Sequence, residues 1–188
     1  SSVGIMIFIC ILFVSFYLEM TQRMMEQKER DFLIKSAYTD ELTQIHNRRC
    51  CMEYMTKLKE QKNFEYTVIC FDVNNLKTVN DTFGHARGDV LLKSAAEVLE
   101  KTFGEQGFVA RMGGDEFVAI LRTVEEVRIG ALIERFLRNV SQKNRAVRDL
   151  NMSIAYGYAC GSQNSSDIEK VYQKADDNMY EKKKQMKG

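Results

Sequence analysis

Proline is absent from the 188 residues, which excludes proline-rich linkers and polyproline ligand segments. Net charge is nearly absent too. Lys and Arg total 27 against 26 Asp and Glu, so no global basic excess exists to drive binding to a nucleic-acid polymer. The two histidines, His46 and His85, lie far apart and form no H-x-x-x-H pair. The five cysteines show no C-x-x-C spacing, so neither a zinc site nor a dithiol redox motif is indicated. No G-x-x-x-x-G-K-[ST] loop and no G-x-S-x-G elbow occurs, which removes P-loop and nucleophile-elbow chemistry. Asp72-x-Asn74 opens like a calcium loop, but Leu76 takes the third ligand position and Lys77 the required glycine, so an EF-hand is excluded. What remains is 45% apolar and 28% charged, a composition that disfavours disorder and suits one domain with a modest appendage.

Much of the apolar content sits at the start. Val3–Leu18 (VGIMIFICILFVSFYL) carries no charge and no polar face. As a helix it spans about 24 Å against a hydrocarbon core of about 30 Å. A basic n-region and a small-residue cleavage site are missing, so a signal peptide is disfavoured. Residues 1–18 are expected to be a transmembrane segment, cut short in this chain. Arg23, Lys28, Arg30 and Lys35 follow it closely. The positive-inside rule then puts everything after it in the cytoplasm, on the inner or plasma membrane. Residues 19–38 are expected to continue as a helical linker. Leu18, Met25 and Phe32 recur every seven residues, but the intervening positions are polar, which makes a weak coiled-coil seam.

From about residue 39 helical and strand patterns alternate. Helices are expected over 47–60, 86–103, 125–143 and 166–185, and strands over 66–72, 108–112, 116–121 and 151–159. Gly113-Gly114 between the second and third strands is a hairpin signal, because both residues can take positive φ. This pattern predicts an α+β domain with a largely antiparallel sheet.

The candidate chemistry gathers at strand ends. Asp72 closes a run of Val, Ile, Cys and Phe, while Asp115 and Glu116 follow the hairpin glycines. If these strands are neighbours, the carboxylates converge and need a counter-charge, which two Mg²⁺ ions would supply; an ordinary exposed hairpin is the alternative. Asn74–Asp89 (NNLKTVNDTFGHARGD) is dense in polar residues and glycine ahead of an amphipathic helix. Asp89 can accept from guanine N1 and N2, and Asn80 can both donate and accept; a polar loop with a capping Asp is the alternative. Lys183 falls on the apolar stripe of the last helix, four residues after Met179, where a lysine either snorkels out or meets an anion such as phosphate.

Four segments in order resemble the diguanylate cyclase, or GGDEF, family. Asp40–Arg49 (DELTQIHNRR) is similar to its opening D-x-L-T-x-x-x-N-R-R. Phe71–Asp89 is similar to its D-x-(D/N)-x-(F/L)-K-x-x-N-D-x-x-G-H-x-x-G-D block. Arg111–Phe117 carries the G-G-D-E-F signature intact, and Ala175–Lys183 (ADDNMYEKK) resembles its closing A-D-x-A-L-Y-x-A-K. The resemblance covers residues 39–188 as one catalytic domain. It implies a fold like the palm of nucleotidyl cyclases and polymerases, with a central antiparallel sheet wrapped by helices. It implies condensation of two GTP into cyclic di-GMP across a homodimer, with release of two pyrophosphates. By the same resemblance Asp72, Asp115 and the Val73 carbonyl would hold two Mg²⁺ per site, with Mn²⁺ as a substitute. Asp115 or Glu116 would assist deprotonation of the 3′-hydroxyl, and Lys77 would stabilise developing charge. Asn80 and Asp89 would read guanine, His85 would line the pocket, and Gly113 and Gly114 would let the backbone pack on GTP. Lys183 and Lys187 would bind the terminal phosphates. The family's product-inhibition motif R-x-x-D falls on Gly104–Gly107, where neither charged residue is present. The alternative within the resemblance is a domain that binds GTP or a cyclic dinucleotide without catalysis.

Overall fold

The computed structural model describes residues 2–61, 64–147, 149–162 and 167–186. The chain divides into two compact units, Ser1–Ala37 and Tyr38–Gly188.

The first unit lies within a single continuous helix, α1 (Ser2–Tyr38), which has no buried residue. It is long and apolar enough to cross a membrane. Its polar half is tied along the helix by Arg23 on Glu19 at 2.6 Å and Gln22 on Glu26 at 3.0 Å.

The second unit is a four-stranded antiparallel sheet between two helical layers. The elements are α2 (Arg48–Glu60), β1 (Glu65–Val73), α3 (Leu76–Phe83), α4 (His85–Phe103), β2 (Gly107–Gly113), β3 (Glu116–Leu121), α5 (Glu126–Ala146), β4 (Ile154–Ser162) and α6 (Ile168–Gln185). The strand order is β2-β3-β1-β4, all pairs antiparallel. β1 is thus central and buried on both faces from Tyr66 onward, as its apolar stretch Val68–Phe71 requires.

Strand alternation sorts the core into two layers. Ile69, Phe71 and Val73 of β1 join Phe117 and Ala119 of β3 against α4 and α5, around the rings of Phe71, Phe103 and Phe136. Tyr66, Val68 and Cys70 join Val118 and Ile120 against α2 and α6. This parity has a consequence for the chemistry. Asp72, Asn74 and Glu116 continue the even-numbered series, so they emerge on the α6 side. Helix α6 seats tightly on β4 because Gly157 has no side chain; a Cβ there would lie 2.0 Å from the Met179 nitrogen.

The expected elements are present, with ends shifted by a few residues. One element was not expected. Leu76–Phe83, within the stretch read as polar and glycine-rich, is the helix α3. Leu76 and Val79 pack against the α4–α5 layer, so the stripe was present in the sequence but masked by the polar residues between. All five cysteines are free. Burial pushes the Cys51 thiol up to about 12 and raises Cys70 as well, consistent with inert core thiols.

Candidate active site

The site is assembled where β1 ends and the β2–β3 hairpin turns back. β1 and β3 are neighbours, with Asp72 in register opposite Glu116. The Val73 N–H donates to the Asp115 carbonyl at 2.9 Å, which stitches the hairpin turn to the end of β1. The turn is possible because Gly113 and Gly114 adopt φ of 144° and 52°, and a register shift between Arg111 and Gly113 re-aims the strand. Asp72 and Glu116 are therefore cross-strand partners, with Asp115 beside them in the turn and tied to β1 through its carbonyl.

Two residues outside those predictions lock the turn. Arg111 donates from Nη2 to the Gly114 carbonyl at 2.7 Å and from Nη1 to the Asp40 carboxylate at 3.0 Å. Asp40 also accepts from the Thr43 N–H and hydroxyl, at 2.9 and 2.7 Å. Burial pushes the Asp40 carboxyl upward, but the bonds from Thr43 and the Arg111 guanidinium outweigh it and hold the group below its ordinary value. The opening D-x-L-T motif thus braces the signature hairpin. A guanidinium two residues before the glycines, with an unassigned Asp in an opening motif, was the available signal.

Asp72 is 6% exposed, and its Oδ2 accepts from Lys183 Nζ at 2.6 Å. Lys183 reaches it from the last turn of α6, which confirms that the lysine on the apolar stripe meets an anion inside the fold. Here that anion is a carboxylate. Asp72 Oδ1 is buried with no hydrogen-bond partner. A buried anionic oxygen without a donor is costly by itself and suits a hard divalent cation. Among the described residues no three Asp, Glu, His or Cys side chains converge on one point. Any cation would therefore rely on Asp72, main-chain oxygen and ligand oxygens, the sparse donor set typical of magnesium at phosphates.

Glu116 has its proton affinity raised, first by burial and then by the Asp176, Asp115 and Asp72 carboxylates, with Lys183 opposing. Asp176, on α6, is raised by burial and by Asp177 and Asp72. Asp176 was not singled out in the sequence, though it follows Ala175 in the closing motif. A carboxylate in this surrounding takes a proton more readily than an ordinary Glu, a useful property in a base.

The predicted base-reading residues sit on α3 and α4. Asn80 lies with its Oδ1 buried and unpartnered. Its side chain packs on Gly88, where a Cβ would fall 1.9 Å from that oxygen. Gly88 therefore makes room for Asn80. Lys77, His85 and Asp89 are exposed on the same two helices. Lys187 lies outside the described residues.

Comparison with known proteins adds the following. Residues 37–188 match the family model described as "Diguanylate cyclase, GGDEF domain". The chain is 32% identical over 179 residues to signaling protein YkoW of Bacillus subtilis, covering 90% of this chain and 22% of that protein. It is 30% identical over 152 residues to probable diguanylate cyclase DgcT of Escherichia coli, covering 78% of this chain and 34% of that protein. The chain thus spans about a third or less of these relatives. The crystal structure of the coiled coil and GGDEF domain of DgcB from Caulobacter crescentus, in complex with c-di-GMP, superposes with a TM-score of 0.75. It is 24% identical and the match covers 91% of this chain and 92% of that one, a likeness of fold.

Proposed function

The chain belongs to the GGDEF domain family of diguanylate cyclases, and on that premise we propose that it condenses two GTP into cyclic di-GMP across a homodimer. The observation that carries the reading is the buried, unpartnered Asp72 oxygen beside the Asp115–Glu116 turn.

Each subunit holds one GTP, and the two sites face each other. Each 3′-hydroxyl attacks the α-phosphorus of the other nucleotide; the new P–O bond forms as the bond to pyrophosphate breaks. Asp72, Asp115 and the Val73 carbonyl would hold two divalent ions, Mg²⁺ with Mn²⁺ as a substitute, and such ions would supply positive charge at the phosphate oxygens and acidify the 3′-hydroxyl. Glu116 or Asp115 takes the proton leaving the 3′-hydroxyl, and the raised proton affinity of Glu116 suits that task. Lys77, in the first turn of α3, stabilises charge on the phosphoryl group in flight. Lys183 and Lys187 bind the terminal phosphates, with Lys183 exchanging its Asp72 partner for phosphate when nucleotide arrives. Asn80 and Asp89 read the guanine edge, His85 lines the pocket, and Gly113 and Gly114 keep the turn narrow enough for close approach. The apolar half of α1 anchors the chain in the inner or plasma membrane, and the basic residues after it place the catalytic unit in the cytoplasm.

The chain incubated with GTP and Mg²⁺ should release pyrophosphate and cyclic di-GMP in a molar ratio of two to one. Asp115→Ala should cut turnover by at least about 10³-fold, a loss of roughly 4 kcal/mol of transition-state stabilisation, while thermal unfolding stays near wild type. Wild-type silence in a confirmed dimer would sink the catalytic reading, and activity retained in Asp115→Ala would sink the metal assignment.

A further inference from the structure

A second buried oxygen, two residues beyond Asp72, is also without a partner. Asn74 is 8% exposed, and its Oδ1 makes no hydrogen bond. The orientation of this amide is fixed from its nitrogen end. Nδ2 donates to the Ser153 hydroxyl at 3.0 Å and lies 4.0 Å from the Met186 sulfur, so the two acceptors at hand both address the NH₂ group. Exchanging the oxygen and nitrogen would let the Ser153 hydroxyl donate to the carbonyl, but would also turn that carbonyl onto the sulfur and leave two N–H groups buried and unmet, the larger loss. The backbone is held as firmly. The Asn74 N–H donates to the Ser153 carbonyl at 2.9 Å, and the next residue, Asn75, turns the chain at φ 62° into α3.

Asp72 and Asn74 face the same way. Both belong to the even-numbered side of β1 and its continuation, and both touch the end of α6, Asp72 through Lys183 and Asn74 through Met186. Two orphaned acceptor oxygens, one anionic and one neutral, therefore sit on one side of one chain turn. Neutral amide oxygens are ordinary ligands of hard cations, directly or through a coordinated water.

We infer that Asn74 Oδ1 is a further ligand in the coordination sphere of the cation held by Asp72, and that Ser153 is the positioning residue that aims it. The inference rests on the proposed function and adds to it one ligand and one positioning residue, neither with a role in it so far. Ser153 acts only through Asn74: its hydroxyl occupies the amide nitrogen and leaves the oxygen free for the ion.

The test is binding of Mn²⁺, followed by its electron paramagnetic resonance signal, to the full chain in detergent micelles. Titrations are made with Mn²⁺ alone and with a GTP analogue bridged by a methylene between the α and β phosphorus. Asn74→Ala should weaken Mn²⁺ binding about 10-fold or more, within the range for loss of a group that tunes a metal site. Ser153→Ala should weaken it several-fold and Ser153→Thr should restore it. Asn74→Asp, which keeps an oxygen, should bind at least as well as wild type. Affinity for the analogue without divalent ions should not change in any variant, which separates metal ligation from a general loss of structure. A folded Asn74→Ala that binds Mn²⁺ within twofold of wild type overturns the inference. Should Asn74→Ala fail to fold, Ser153→Ala decides by the same criterion. Loss of Mn²⁺ in Asp115→Ala with none in Asn74→Ala overturns this inference alone, whereas a wild type that binds no Mn²⁺ with the analogue overturns the proposed function as well.

Discussion

Single atoms decide much of this site. Asp72, Asn74 and Asn80 each bury a side-chain oxygen that nothing in the described chain satisfies, and all three belong to the site proposed above for a nucleotide and its ions. Leaving such groups unmet costs about 1–3 kcal/mol apiece, so a ligand that meets them recovers that energy on binding. Gly88 shows how finely the surroundings are fitted. Alanine there would gain about 1 kcal/mol of helix propensity within α4. The new Cβ would fall 1.9 Å from Asn80 Oδ1 and 3.2 Å from a Leu76 methyl. Overpacking of that kind costs about 1–3 kcal/mol, but the obstructing atom is a side-chain end that can rotate away. The two effects nearly offset in stability and do not offset in function. Gly88→Ala should melt within about 5 °C of wild type, yet raise the KM for GTP about 10-fold, because Asn80 is driven from the position that reads guanine. Steady-state kinetics with a melting curve separates the two; an unchanged KM would remove Asn80 from the base-reading set.

Among the elements, the brace from Asp40 through Arg111 to the Gly114 carbonyl connects the segment before α2 to the signature hairpin. Both side chains are largely buried, at 12% exposure for Arg111 and 24% for Asp40, so the pair is worth more than a surface salt bridge, about 1–3 kcal/mol. The Asp40 carboxyl is held below its ordinary value in the folded chain. A depressed carboxylate contributes stability that is fully present above the unfolded value near 4 and is lost as pH falls through the folded value. Asp40→Asn should therefore cost its full increment in urea unfolding at pH 7, and the gap from wild type should narrow below about pH 4. A gap that stays constant to pH 3 would show that the charge of Asp40 does not matter. The elements differ in how legible they were from sequence. β1 and the hairpin announced themselves, because an unbroken apolar run and two adjacent glycines each have few other uses. The α6 face was legible because Lys183 falls on the stripe of Met179. Helix α3 was not, since its stripe is three apolar residues among five that suit a loop, and only packing of Leu76 and Val79 against the core settles it. The brace was hidden for a different reason. Asp40 and Arg111 are 71 residues apart, and no local pattern reports a contact at that separation. The same holds for Asn74 and Ser153.

At the level of the whole molecule, the unpaired features point outward. The proposed reaction needs two facing subunits, which would make turnover depend on assembly, so control would act through whatever brings two chains together. Feedback by product is the other route open to the family, and here its residues are missing. The window where R-x-x-D would stand is the turn from α4 into β2, and it reads Gly104-Glu105-Gln106-Gly107. The structure shows more than a missing charge. A Cβ at Gly107 would lie 2.3 Å from the Ile120 carbonyl of the neighbouring strand, so no carboxylate fits there without shifting β2 against β3. Gln106 Oε1 accepts from the Arg128 guanidinium, which engages part of that donor fork with the turn itself. Cyclic di-GMP carries two phosphates and needs paired cationic donors to hold it at micromolar concentration, a binding free energy of about −7 to −8 kcal/mol. The four residues of the turn supply no cationic donor of their own. At saturating GTP, where competition at the catalytic site is suppressed, added product at about 10 μM should change the initial rate by less than roughly twofold. Strong, saturable inhibition under those conditions would place a product site elsewhere on the surface, and it would have to survive Gly104→Ala and Arg128→Ala to be independent of this turn.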